Sequence, residues 1–173
     1  MSGPHASQAV AKHSGVTQDP SRFERLLVPV DFSSASRSAY SLAIRLADWA
    51  DSEIWLFHAA GPDENDEFLN HTGVPWGLSD VEGEVRAKLR DFVDAAEPGS
   101  GRRVQLDTVK SENVVLAVVE ACQRHAPNLI VLGVHPHARR SLRRSVAERI
   151  AHAVSCPVLL VRGEPEPLVD ADM

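Results

Sequence analysis

The segment 133–149, GVHPHARRSLRRSVAER, combines the outline of a phosphate-binding loop with residues that such a loop does not need. Gly133 follows the apolar run LIVL directly, and SVAER has the pattern of a helix start. A glycine allows close approach of the backbone to a ligand or simply makes a tight turn. A helix N-terminus offers amides and a positive dipole end to an anion. Ser145 therefore has two interpretations, the edge of a phosphate site and the cap of an ordinary helix, and the cap is the simpler.

Four arginines lie between the glycine and this helix: Arg139, Arg140, Arg143 and Arg144. Guanidinium groups make charge-assisted, often bidentate contacts with phosphate. The same side chains are also consistent with a solvated basic face, paired with the acidic segment 61–67 or with another subunit. We favour the basic face, although exposed pairs of this kind contribute only about 0–1 kcal/mol.

A carboxylate stands at the other candidate position, in the segment LLVPVDFSSAS. Asp31 could accept a hydrogen bond from a ligand amine, hold magnesium, or cap the following helix, and the bare pattern favours the cap. Pro29 donates no backbone hydrogen bond, so it fits a position near the end of a strand, where pairing stops.

The histidines and cysteines do not predict a metal site. His135 and His137 could chelate a cation, but neither His58 nor any other residue stands at a spacing that suggests a third ligand. Cys122 and Cys156 are too few for a disulfide framework and lack metal-ligand spacing, so we predict two buried, small, apolar side chains. This cysteine usage favours a reducing, cytoplasmic location.

Composition predicts one soluble domain. The chain has 173 residues, of which 43% are hydrophobic and 24% charged, and its net charge is −6. The negative charge argues against a nucleic-acid partner. No apolar run approaches the roughly 20 residues that cross a bilayer, and the N-terminus lacks a secretory profile, so no membrane association is predicted.

Apolar periodicity predicts five strands alternating with four helices. The predicted strands are 25–30, 53–59, 103–109, 128–133 and 157–162, and the predicted helices are 34–50, 79–96, 112–126 and 145–154. Segments 1–22 and 164–173 are predicted as flexible tails, and 61–77 as a long loop. Alternating strands and helices indicate a parallel sheet with helices on both faces, whose ligands bind where strand order reverses. If the first and fourth strands are neighbours, Asp31 and Gly133 lie side by side there.

Four segments, LLVPVDFSSAS, NLIVLGVH, SVAERI and CPVLLVR, resemble the universal stress protein (UspA-like) family. The resemblance covers about residues 23–163. It implies a three-layer α/β sandwich of the adenine-nucleotide-binding superfamily, with a five-stranded parallel sheet in the order 3-2-1-4-5. It also implies a role in stress tolerance and a homodimer formed through the last strand, Pro157 to Arg162, whose apolar edge invites pairing. An unidentified protein partner stays open.

In the family members that bind ATP, a G-x-x-G motif, nine residues and then G-S or G-T wrap the phosphates, while the adenine lies near a V-D pair. ATP or another adenine nucleotide, with magnesium, is therefore the cofactor that the resemblance implies. The positions of this chain that fall on that site are Pro29, Val30, Asp31, Gly133, Arg143, Arg144, Ser145 and Val146.

The chain departs from this motif after Gly133. Pro136 replaces the second glycine, seven residues instead of nine follow it, and Arg144 replaces the third glycine. A loop that presents successive amides needs residues of free backbone conformation, and proline has no amide. The predicted function is therefore a non-enzymatic, dimeric stress-response or regulatory module with weak or absent nucleotide binding. The alternative is an ATP-binding switch with slow or no hydrolysis, its phosphates held partly by arginines; no G-x-S-x-G elbow or triad predicts an enzyme.

Overall fold

The computed structural model describes residues 23–61, 81–97, 104–134 and 145–163. These residues form five strands and four helices. The strands are β1 (Arg25–Pro29), β2 (Glu53–Ala60), β3 (Val104–Lys110), β4 (Leu129–Val134) and β5 (Val158–Arg162), and the helices are α1 (Ser34–Ala50), α2 (Val81–Ala96), α3 (Val114–His125) and α4 (Val146–Ala153). Each predicted element is present within two residues of its predicted bounds. The predicted tails, and all but the first residue of the predicted loop, lie outside the described residues.

All four strand pairings are parallel, and the strand order is β3-β2-β1-β4-β5. The expected fold class and strand order are therefore confirmed. Helices cover both faces of the sheet, α1 and α2 on one side and α3 and α4 on the other. The chain is thus a three-layer α/β protein, as alternating apolar strands and amphipathic helices require.

The core is divided by the sheet because successive side chains of a strand point to opposite faces. In β1, Leu26 and Val28 pack with Tyr40 of α1, whereas Leu27 packs with Val118 of α3. All five side chains are fully buried. Across the described part of the chain, no helix is both long enough and apolar enough to span a membrane.

Candidate ligand-binding crevice

The crevice begins where β1 and β4 separate. Their pairing covers only Leu26 with Leu129 and Leu27 with Ile130. Further along, the amide of Val30 donates to the carbonyl of Phe57 in β2 (2.8 Å). Since backbone groups of successive residues in a parallel strand face opposite neighbours, the nitrogen of Pro29 faces β4. Proline has no hydrogen to donate there, and this explains how β1 accommodates it in the middle of the sheet.

A cavity of about 380 Å³ lies beyond these strand ends. Six of the eight residues that the sequence predicts for the site line it together: Pro29, Val30, Asp31, Gly133, Ser145 and Val146. The predicted neighbourhood of Asp31 and Gly133 is therefore confirmed. Arg143 and Arg144 lie outside the described residues, as do His135 and His137.

Asp31 anchors the turn that leads from β1 into α1. Its Oδ1 accepts hydrogen bonds from the amide (3.1 Å) and hydroxyl (2.5 Å) of Ser33, and from the hydroxyl of Ser36. In return, the Asp31 amide donates to Ser36 Oγ (3.0 Å). The N-cap is Ser33, whose Oγ accepts the amide of Ser36 (3.2 Å). The simple capping role predicted for Asp31 is thus corrected: the carboxylate orients the two serines, and the Ser33 hydroxyl caps the helix.

Phe32 turns the chain between these polar residues. Its φ is +62°, in the left-handed region that side chains with a Cβ rarely adopt. The phenyl ring contacts the His58 ring (centroids 4.6 Å apart) and lies edge-on to Phe92 (5.9 Å). These ring contacts in the core favour the unusual backbone conformation at Phe32.

His58 is a crevice residue that the sequence indicates only as a possible metal ligand. It is buried at the end of β2, and its Nδ1 lies 2.8 Å from the carbonyl oxygen of Val30. Because a carbonyl only accepts, the Nδ1 must carry the proton in this contact. The imidazole thus holds the end of β1 against β2, and it also lines the cavity. No group of three or more potential metal ligands occurs among the described residues.

The start of α4 forms one wall of the crevice and confirms Ser145 as its N-cap. Ser145 Oγ accepts the amide of Glu148 (3.2 Å), and the Glu148 carboxylate accepts the amide of Ser145 (3.0 Å). This reciprocal capping box uses two amides at the helix start. The amides of Val146 and Ala147 are the ones that it does not use.

Most of the cavity surface is apolar, and no pattern in the sequence signals this. The apolar side chains that line the cavity beyond the predicted site are Phe57, Ala59, Val114, Val118, Leu132, Val134, Ala147 and Ile150. Val114 and Val118 follow the i, i+4 spacing of a buried helix face, which is the same for a core and for a cavity wall. A mostly apolar cavity with a few polar groups suits a small, partly apolar ligand.

This architecture defines a class: doubly wound parallel α/β proteins with a ligand crevice where strand order reverses. A sequence model described as the universal stress protein family matches residues 22–162. The chain belongs to the universal stress protein family.

Individual relatives are distant but cover the domain almost completely. Universal stress protein YxiE of Bacillus subtilis (strain 168) is 24% identical over 148 residues, which are 81% of this chain and 99% of YxiE. A universal stress protein solved in complex with cAMP has a TM-score of 0.60 at 20% identity, covering 82% of this chain and 98% of the other. One from Archaeoglobus fulgidus, in complex with dAMP, has a TM-score of 0.54 at 15% identity, covering 80% and 98%. At such identities these structures establish a shared fold.

Proposed function

We propose that this chain is a non-enzymatic regulatory module of the stress response that binds an adenine nucleotide weakly in the crevice between β1 and β4. The observation that carries the proposal is the cavity itself, which joins Asp31, Gly133 and Ser145 around an apolar chamber. Its volume of about 380 Å³ lies in the range of small-molecule sites. Relatives of the same fold that hold cAMP or dAMP support a ligand with a single phosphate.

The polar groups of the crevice fit this ligand class better than a triphosphate. The Ser145–Glu148 capping box already uses two amides of the helix start and places a carboxylate next to it. Among the described residues, the amides of Val146 and Ala147 are the ones at this helix start that the capping box leaves for a phosphate. A carboxylate repels a second anion, so each further phosphate adds less affinity than it would at an open helix end. Pro136 and the shortened segment 137–143 remove further amides from the loop.

We propose no catalytic activity because the Ser36 hydroxyl and the His58 imidazole make structural hydrogen bonds. Ser36 donates to Asp31 and accepts the Asp31 amide, so its hydroxyl serves the turn into α1. His58 Nδ1 is engaged with the carbonyl of Val30, which fixes the imidazole as part of the β1–β2 contact. These partners stabilise the strand ends and do not form a nucleophile and base pair.

Dimerisation through β5 is the second part of the proposal. The amide of Ile130 donates to the carbonyl of Pro157 (3.0 Å), and the amide of Gly163 donates to the carbonyl of Val134 (3.2 Å). Since successive residues of a parallel strand face opposite neighbours, the backbone groups of Val158, Leu160 and Arg162 point away from β4. Leu160 is 46% exposed, large and apolar. An outward-facing backbone beside an exposed apolar side chain suits pairing with a second copy.

The opposite edge of the sheet is less suited to pairing. In β3, the carbonyl of Leu106 accepts from Arg86 Nη1 (3.5 Å). The carboxylate of Asp107 is paired with Arg124 (2.8 Å) and His125 (2.6 Å). Charged side chains on an edge strand disfavour addition of another strand. The contrast between the two edges supports β5 as the dimer interface.

Isothermal titration calorimetry tests the nucleotide proposal directly. Adenosine, AMP, cAMP and ATP with magnesium are titrated separately into the full-length protein. We expect dissociation constants of roughly 10 µM or weaker for AMP or cAMP, and no gain for ATP. ATP binding tenfold or more tightly than AMP, with release of phosphate over hours, would instead favour the alternative of an ATP-binding switch. No heat with any ligand would refute nucleotide binding.

A further inference from the structure

The only two cysteines of the chain line one surface cleft, which shares no lining residue with the crevice. Cys122 lies in the last turn of α3, and Cys156 lies between α4 and β5. Both thiols are partly exposed and line one surface cleft of about 440 Å³ between these elements. The two thiols also influence each other, since Cys156 contributes to the raised pKa of Cys122. The expectation of two buried, small, apolar side chains is therefore corrected: both cysteines are partly exposed, and they line the same cleft.

The surroundings of the pair are apolar. Cys122 and Cys156 pack against the core cluster on the α3–α4 face of the sheet, and Val119 and Val154 line the same cleft. Desolvation, followed by the nearby Cys156, raises the pKa of the Cys122 thiol to about 12, and desolvation raises the pKa of Cys156 as well. Both groups are therefore thiols at neutral pH. Such thiols react slowly with external reagents. The feature that favours an internal bond is the position of both cysteines on one cleft.

We propose that Cys122 and Cys156 form a redox modification site that closes to an intrachain disulfide when the protein meets a small-molecule disulfide such as oxidised glutathione. The proposal is independent of nucleotide binding and of dimerisation. It rests on the shared cleft that both cysteines line and on their packing against the same core cluster.

The reaction proceeds in two exchange steps. One cysteine loses its proton, and the thiolate attacks a sulfur of the oxidant, whose sulfur–sulfur bond breaks as one glutathione thiolate leaves. The second cysteine then loses its proton and attacks the protein sulfur of this mixed disulfide, releasing the second glutathione. In total the two protein thiols lose two protons and two electrons, and the oxidant is reduced to two thiols.

The disulfide would join the end of α3 to the segment that enters β5. Cys122 and Cys156 are separated by 33 intervening residues (numbers 123 to 155), so the bond restricts the unfolded chain substantially. We expect the oxidised protein to melt about 5 °C or more above the reduced protein. High thiol pKa values also predict slow closure, with a rate that rises about tenfold from pH 7 to pH 8 as the thiolate fraction increases.

The test incubates the full-length protein with a large excess of oxidised glutathione, blocks free thiols with iodoacetamide and measures intact mass. The expected wild-type product carries no alkyl group, is lighter than the reduced protein by two hydrogen atoms, and returns to the reduced mass with dithiothreitol. The variants Cys122→Ala and Cys156→Ala serve as matched controls, and neither can give this species. Circular dichroism confirms that each sample is folded before oxidation.

Three results would overturn the proposal. The first is wild-type protein that retains two alkylatable thiols after prolonged oxidation at pH 8. The second is wild-type protein that accumulates glutathione adducts without losing them to the internal bond. The third is oxidation that yields only disulfide-linked dimers on a non-reducing gel.

Discussion

Gly133 lies directly against the backbone of Ala35. A Cβ at Gly133 would come within 2.5 Å of both the carbonyl carbon and the carbonyl oxygen of Ala35. Gly163, just after β5, approaches the same residue, with an ideal Cβ 2.7 Å from the Ala35 Cα. The end of β4 and the residue that follows β5 therefore lie against the first turn of α1. This contact gives Gly133 a packing role that is separate from any ligand.

Substituting Gly133 by alanine should destabilise the fold. Its methyl group would meet backbone atoms, which cannot move aside as a flexible side chain can, so we expect a loss of about 2 kcal/mol or more in the free energy of unfolding. Urea denaturation measures this. Gly61→Ala is the matched control, since no atom lies within 4 Å of the position that its methyl group would take, and its effect should stay within about 0.5 kcal/mol. Equal stabilities of the two variants would contradict the close contact.

Removing the cap of α1 should cost less, but measurably. Ser33→Ala deletes the oxygen that accepts the Ser36 amide and a hydroxyl that donates to Asp31, so a loss of about 1 kcal/mol is expected. Ser41→Ala changes an exposed serine inside the same helix and should be neutral or slightly stabilising, because alanine has the higher helix propensity. Thermal and urea unfolding of both variants compare the positions. An unchanged free energy of unfolding in Ser33→Ala would show that the cap makes no net contribution to stability.

A negative charge at the crevice should weaken nucleotide binding. Val146 is 48% exposed and lines the cavity, while Leu116 is 51% exposed and does not, and both lie in the first turn of a helix. We expect Val146→Asp to weaken AMP or cAMP binding at least tenfold in calorimetry through repulsion of the phosphate. Leu116→Asp should bind like the wild type. Equal affinities of the two variants would place the ligand away from α4.

The proposed dimer should depend on β5. Leu160→Asp places a charge on the exposed edge strand, so we expect light scattering at micromolar concentration to give a monomeric mass for this variant and a dimeric mass for the wild type. Leu116→Asp, with the same change at a similarly exposed leucine, should stay dimeric. A monomeric wild type would refute the dimer. A dimeric Leu160→Asp variant would show that the interface does not depend on Leu160.

Alkaline pH should reduce the contribution of Cys122 to stability. The pKa of this thiol is about 12 in the folded protein, whereas an unfolded cysteine has a pKa of about 8.5, so the folded state binds the proton more tightly. The contribution of this raised pKa to the free energy of unfolding is fully present below about pH 8.5 and is lost as the pH rises toward 12. The difference in unfolding free energy between the reduced wild type and Cys122→Ala should therefore narrow between about pH 8 and pH 10. A constant difference would contradict the raised pKa.

Whether a feature could be predicted depended on how far apart in the chain the interacting residues lie. The bounds of α1 and of β2 were predictable because apolar spacing and turn residues act over a few neighbours along the chain. The juxtaposition of Asp31 and Gly133 was predictable because the carboxyl ends of parallel strands meet at one edge of a sheet. The strand order itself came from the family resemblance, since several orders would bury the same apolar strands.

The amino-acid sequence by itself determined the alternation of strands and helices, the cap at Ser145 and the missing glycines after Gly133, because each depends on the chemistry of consecutive residues. Only the tertiary structure decided that Val118 lines a cavity, that Gly133 touches Ala35, and that Cys122 and Cys156 line one cleft. Each of these pairs or surfaces joins segments far apart in the chain. Their proximity results from packing of whole helices on the sheet, for which no local pattern carries a signal.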